Sequence, residues 1–220
     1  MILYHLDKAR SLQTNTEIQF VPPEKIPTDL KQTDFFSFFE HGISQHGLTY
    51  LKLSCSTYPF IQNWNGEIFY TQDSVSYQIS TVSMSILEFG VELVRRAYFS
   101  QYPSRLQSLF AVRNIDDFRQ WPELCRTEDI PHENIIALDV SDDTNCFDSR
   151  WLRGGLIHGT TGDRYYIGYS SALCFDLAYK YWSKTPSNDP RWEYLIPLPI
   201  DGFRVRAINP TSPSDQGLHL

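Results

Sequence analysis

Ile2-Leu3-Tyr4-His5-Leu6-Asp7-Lys8-Ala9 is the stretch on which the fold of this chain turns. Ile, Leu and Tyr alternating into a polar end predict a β-strand, and Arg10-Ser11-Leu12-Gln13 starts a turn or short helix. The run begins at residue two, so no domain is expected ahead of it. A strand histidine beside a tyrosine and ahead of an aspartate can hold a polar ligand with its ring fixed by the backbone. It can equally be a part-buried residue satisfied by a backbone carbonyl. The counterpart lies near the other end, in Pro190-Arg191-Trp192-Glu193-Tyr194-Leu195-Ile196-Pro197-Leu198-Pro199-Ile200. There a carboxylate, Glu193, sits between two aromatics at the mouth of an apolar strand. By itself Glu193 reads as an edge carboxylate that keeps the strand soluble.

A chain of 220 residues, 41% hydrophobic and 15% aromatic, suffices for one domain with a sizeable core. That domain is expected over 1–208, with a loose Pro- and Ser-containing tail over 209–220. Few methionines beside many Tyr, Phe and Ile favour a strand-rich α+β fold over a helix bundle. The net charge of -7, from 26 acids and 19 bases, repels phosphate backbones and disfavours nonspecific nucleic-acid binding. Arg95, Arg96 and Arg105 still fall close enough in sequence to line a basic cleft. Cys55, Cys125, Cys146 and Cys174 show no metal spacing, so no zinc site is expected; they read as reduced, mostly buried thiols of a cytoplasmic protein. The N-terminal apolar run is too short for a signal peptide or membrane span.

Along the chain, Thr16 to Val21 alternates as a strand closed by Pro22-Pro23. Residues 34 to 47, with Phe35, Phe36, Phe38 and Phe39, predict a short buried helix ending at a glycine. Residues 48 to 82 read as irregular and strand-rich. Ser83 to Phe99 is a helix with Ile86, Phe89, Leu93 and Val94 on its apolar side, and Glu88, Glu92, Arg95 and Arg96 on a solvated face. Leu106 to Val112 is a strand, followed by a helix capped by Asn114. Asn134 to Val140 is a strand, and Phe147 to Trp151 a loop. The glycines of Leu152 to Asp163 mark turns. Ser170 to Trp182 is a helix, and Trp192 onward and Phe203 to Ile208 are strands.

Tyr4-His5 on a first strand and Glu193 at the start of a late one resemble the ADP-ribosyltransferase superfamily, in its His/Tyr/Glu branch of poly(ADP-ribose) polymerase-like and bacterial toxin-like enzymes. The strand and Asn-capped helix around Leu109-Phe110-Ala111 are similar to the middle motif of that branch, which runs Tyr-Phe-Ala. The stacking tyrosine is absent here, and Ser108, Phe110, Tyr102 or an aromatic from elsewhere fills its place. His158-Gly159-Thr160 also matches the branch's first motif, but only thirty-five residues separate His158 from Glu193, which is too short for the intervening sheet, so His5 is preferred.

The resemblance implies a split, twisted, mainly antiparallel sheet with flanking helices and an NAD cleft between the sheet halves. In it Glu193 would stabilise the oxocarbenium-like state formed as nicotinamide leaves. Tyr4 and His5 would hold NAD, with His5 on a ribose hydroxyl, and Arg105 would meet the pyrophosphate, unless it makes a surface pair with an acid. Ser108 would support Glu193 or the nicotinamide amide, Phe110 would line the pocket, and no metal would be needed. His5 and Glu193 must then share one face of the sheet. The activity implied is transfer of one ADP-ribose from NAD to a macromolecular acceptor, protein or nucleic acid, as in toxins or phage-defence effectors with a neutralising antitoxin or inhibitor protein. The alternatives are an NAD glycohydrolase, an NAD-dependent remover of RNA 2'-phosphates, a catalytically inactive binding module, and a plain partner-binding protein.

Overall fold

A computed structural model describes residues 1–7, 11–54, 61–62, 65–66, 68–69, 72–121, 135–153, 156–161 and 164–208. Its strands are β1 (Ile2–Leu6), β2 (Ile61–Gln62), β3 (Ile68–Phe69), β4 (Ser108–Ala111), β5 (Ile135–Asp139), β6 (Cys146–Asp148), β7 (Leu156–Thr161), β8 (Arg164–Tyr169), β9 (Trp192–Pro197) and β10 (Val205–Ile208). The helices are α1 (Thr28–Lys31), α2 (Asp34–Ser37), α3 (Gln45–Ser54), α4 (Gln72–Tyr98) and α5 (Ser171–Trp182). The architecture is α+β with antiparallel sheets, as composition and alternation predict.

Two three-stranded sheets organise the chain, in the orders β1-β5-β10 and β4-β9-β6. They are stitched at one residue pair: Tyr4 and Val112 each donate an N–H to the other's carbonyl at 2.8 Å. β1 therefore lies beside β4, and β4 beside β9. The reason this ladder stops after one pair is chemical. Phe110, two residues before Val112, directs its carbonyl to the same edge, and the His5 ring takes it through Nδ1 at 2.7 Å. A side chain thus occupies the acceptor that a continuing strand would need, and the sheet divides there.

Alternation along the strands separates two faces. Leu3, Leu109, Ala111, Ile136, Leu138, Tyr194 and Ile196 share one core. Phe110, Phe147 and Leu195 point the other way, onto Val91 and Val94 of α4 and Ala178, Tyr181 and Trp182 of α5. Burying each such large side chain contributes roughly 1.5–3 kcal/mol. Trp182 fixes α5 to α4 as well, donating its indole N–H to the Val91 carbonyl at 2.8 Å. Ser170 caps α5 by accepting from the Leu173 N–H at 3.2 Å.

Several local expectations give way to tertiary contacts. Of Thr16 to Val21, Ile18 forms a bridge to Ile200 and Val21 donates its N–H to the Ile43 carbonyl at 2.8 Å, so no continuous strand forms there. The 34–47 helix is a single turn, α2; Gly42 then adopts φ +106° and Gly47 lies inside α3. Much of 48–82 is helical, in α3 and in α4, which starts well before Ser83; the short β2 and β3 are the described strands there. The strand expected from Leu106 begins at Ser108, because Arg105–Gln107 wind into a 3-10 turn capped by Ser104. The helix after Asn114 is likewise a 3-10 turn, closed by Asp117 Oδ2, which accepts the Asn114 backbone N–H at 3.0 Å. Of Phe147 to Trp151, read as a loop, Phe147 and Asp148 belong to β6, and the glycine-bearing segment leads into the β7-β8 hairpin. Gly154, Gly155, Gly162, Cys55, Cys125 and the 209–220 tail lie outside the described residues.

Candidate functional site

The helix-covered face of the β4-β9-β6 sheet holds a buried charge cluster, assembled from five elements. Glu88 comes from α4, Arg105 from the 3-10 turn before β4, Tyr181 from α5, Glu193 from β9 and His46 from α3. Their closeness follows from register: Phe110 faces Leu195 across β4-β9, and Glu193 faces Phe147 across β9-β6, so all four side chains share the surface under α4 and α5.

Arg105 is the hub. Its Nε and Nη2 donate to the two oxygens of Glu88 at 3.1 and 3.0 Å, and its Nη1 donates to Tyr181 Oη at 3.0 Å and to Glu193 Oε1. Tyr181 in turn donates its O–H to Glu193 Oε1 at 2.7 Å. The guanidinium lies 4.6 Å from the Phe110 ring centroid, a cation–π contact. His46 borders the cluster, its Nε2 3.6 Å from Glu88 Oε1 and its ring 4.4 Å from that of Phe110 and 4.6 Å from that of Tyr50. Burial alone would push the Glu88 carboxyl upward, yet Arg105 and His46 prevail and hold it below the usual carboxylate range. Burial likewise works against the Arg105 charge, but Glu193 and Glu88 raise its pKa well above the ordinary value. Burial, then the Glu193 charge, lifts the Tyr181 phenol well above its normal range.

A second knot adjoins it. Glu92 accepts from Arg95 Nε and Nη2 at 3.0 and 2.8 Å, from Arg96 Nε at 2.7 Å and from Ser104 Oγ at 2.8 Å. The expected solvated face of α4 is therefore corrected: Glu88 and Glu92 are only 2% and 1% exposed, and Arg95 is also buried. The signal for this was present in their spacing. Glu88, Glu92 and Arg95 follow one another at successive helical turns, adjacent to Leu87, Val91 and Val94, so the buried stripe of the helix sweeps through them.

The six residues singled out by resemblance divide between two faces. Glu193, Arg105 and Phe110 are brought together on the helix-covered side. Ser108 is on that side as well, but its hydroxyl donates to the Ser104 carbonyl at 2.7 Å and braces the turn instead of Glu193. Tyr4 packs on the core of Leu6, Val112 and Ile135. His5 alternates with Tyr4, lies opposite Ile136 and so faces the other core. A cleft lined by both His5 and Glu193 is not formed, because the sheet itself lies between them. Burial lowers the His5 pKa, against the Phe110 carbonyl and Asp7, which raise it. The role of Arg105 on a pyrophosphate is also corrected, and so is its alternative as a surface pair. It is 5% exposed and its donors serve two carboxylates and a phenol.

Arg105 takes up both oxygens of Glu88 and, with Tyr181, the Oε1 of Glu193, an arrangement suited to fixing helices on a sheet. Among the described residues no group of three or more His, Cys, Asp or Glu has metal-binding geometry, and no helix is long and apolar enough to cross a membrane. Among curated proteins no match is found. Residues 3–208 match the family described as protein of unknown function (DUF2441), and the chain belongs to that family.

Proposed function

We propose that the protein is a non-catalytic binding module on an ADP-ribosyltransferase-like sheet, taking up NAD without turning it over. One observation carries this choice over a transferase: Glu193, the carboxylate that would act on the ribose, is 6% exposed, ion-paired to Arg105 and hydrogen-bonded by Tyr181, on the face opposite His5. Both partners bind Oε1 and so hold that oxygen on the protein rather than on a ribose. NAD as the ligand rests on the resemblance of the Tyr4-His5 and Glu193 strands.

The second reading is an active mono-ADP-ribosyltransferase, or an NAD glycohydrolase, and a different observation favours it. β1, β4 and β9 are neighbours in that order, so the strands bearing His5, Ser108 and Glu193 stand side by side as the resemblance requires. In that case a macromolecular acceptor, protein or nucleic acid, and a neutralising protein partner belong to the system, as in toxins and defence effectors. Calorimetric titration with NAD, beside a nicotinamide-release assay in the presence of cell lysate, separates the readings. Saturable binding without release supports the module. Release that Glu193→Gln abolishes, with macromolecular label, supports the transferase; without label, it supports the glycohydrolase. Neither binding nor release eliminates NAD from the account.

A further inference from the structure

Where β6 ends and the chain approaches β9, an open cleft of about 570 Å³ is lined by Ser149, Arg150, Trp151, Arg153, Ser187 and Arg191, among others. On a chain of net charge -7, three guanidiniums around one cleft are a local reversal of sign. The floor is rigid. Asp148, fully buried, accepts backbone N–H groups from Arg150, Ser187 and Arg191 at 3.0, 2.7 and 2.9 Å. Burial would raise its pKa, but these donors win and keep it low, so its charge is met by the backbone.

The walls are positioned with equal care. Arg191 lies over Trp121 at 4.9 Å, and its guanidinium donates to Ser149 Oγ at 2.9 Å and to the Gln120 carbonyl at 3.0 Å. Arg150 binds Asp189 at 2.7 Å, the one acidic side chain among the lining residues. Arg153 spends only its Nε, on the Arg150 carbonyl at 2.8 Å, leaving its two terminal nitrogens without a hydrogen bond among the described residues. The Ser187 hydroxyl oxygen is buried beside Asp148 and completes no hydrogen bond of proper geometry.

We infer that this cleft binds the phosphate or pyrophosphate group of a small phosphorylated ligand, with Arg153 as its principal donor. Three guanidiniums against two carboxylates, Asp189 on Arg150 and Asp148 on backbone N–H groups, leave an excess positive charge, a fork of N–H donors matches phosphate oxygens, and the volume falls in the range of small-ligand sites. The inference is independent of whether the protein uses NAD, since no residue of the Glu193 cluster takes part.

The test is calorimetric titration at low ionic strength with orthophosphate, pyrophosphate and AMP in turn, on the wild type, Arg153→Glu, and Lys25→Glu as a variant of equal charge change on a distant exposed turn. Because Arg153 is exposed, its variant should unfold at the wild-type midpoint. The expected result is saturable binding of at least one anion, weakened by at least about tenfold in Arg153→Glu and unchanged in Lys25→Glu. Orthophosphate alone sufficing identifies the free anion as the source; preference for AMP identifies a nucleotide. Absence of saturable binding of all three, or equal weakening in both variants, overturns the site.

Discussion

Removing the two charges of the Arg105–Glu193 pair one at a time should give unequal losses of stability. Glu193→Gln leaves Arg105 held by both oxygens of Glu88, so the remaining buried pair is still neutral. The cost is set at the lower end of the range for breaking a buried ion pair, about 3 kcal/mol. Arg105→Met is worse, because Glu88 and Glu193 then face each other under α4 with no cation between them. Its cost belongs at the upper end, about 5 kcal/mol. For a domain of this length 1 kcal/mol corresponds to about 2–4 °C, which places the midpoints about 6–12 °C and about 10–20 °C below wild type. The sign with pH is also fixed. Arg105 holds the folded pKa of Glu88 below its unfolded value, so this stabilisation is present above about pH 4.3 and is lost as pH falls through the folded value. In Arg105→Met the Glu88 carboxyl loses the cation that holds it low and protonates more readily when folded, and the gap to wild type should narrow on acidification. Urea unfolding of the three proteins between pH 7 and pH 4 measures all of this. Equal losses, losses below about 1 kcal/mol, or a gap that widens in acid would show that the cluster is solvated and does not hold α4 and α5 to the sheet.

Three other outcomes are expected. His5 has its pKa lowered in the folded protein, chiefly by burial, so the unfolded chain takes up a proton first. Stability should decline as pH falls below about 6.5, and His5→Gln should reduce that slope in the same titration; an unchanged slope refutes the assignment. Gly47→Ala should destabilise despite the better helix propensity of alanine, because its Cβ would come within 2.4 Å of the Leu106 carbonyl oxygen. A loss of about 1–3 kcal/mol by urea unfolding is anticipated for such overpacking, and a gain would contradict the close approach of α3 to that turn. Cys146, whose thiol burial pushes up to about 11, should alkylate with iodoacetamide at pH 8 far more slowly than a free cysteine, as read by peptide mass mapping.

Much of the sheet was legible because strand alternation is a local signal. Ile2 to Leu6 shows it, Ile135 to Asp139 and the run from Trp192 read instead as continuous apolar runs, and Ser170 announces α5 as a side-chain cap. What alternation cannot express is which face a residue meets once strands are paired. His5 and Glu193 were expected to converge, yet the phase of each strand puts them on opposite sides, a property of pairing over long sequence separation. Arg105 was expected on a pyrophosphate and Glu193 on a ribose, yet they partner each other, and Glu88, read as solvated, joins them. Local propensity failed elsewhere for a related reason. The 48–82 segment is rich in aromatics that favour strands, but α3 is helical there with Leu48 and Leu51 packed into a buried cluster, since tertiary packing overrides propensity, and α4 begins at Gln72. The 152–163 glycines concealed a hairpin, since glycine weakens a strand signal without forbidding the strand.

The single stitch between Tyr4 and Val112 also bears on how the chain matures on the ribosome. β1 is synthesised before its partners, Val112 and, across the sheet, Ile135 to Asp139. At about 5–20 residues per second these emerge on the order of ten seconds after β1. Until then an apolar segment with both edges unpaired remains available to other chains, and long-range pairing of this kind slows the final closure. The first few residues should therefore govern the yield of folded protein more than their small share of the core would imply.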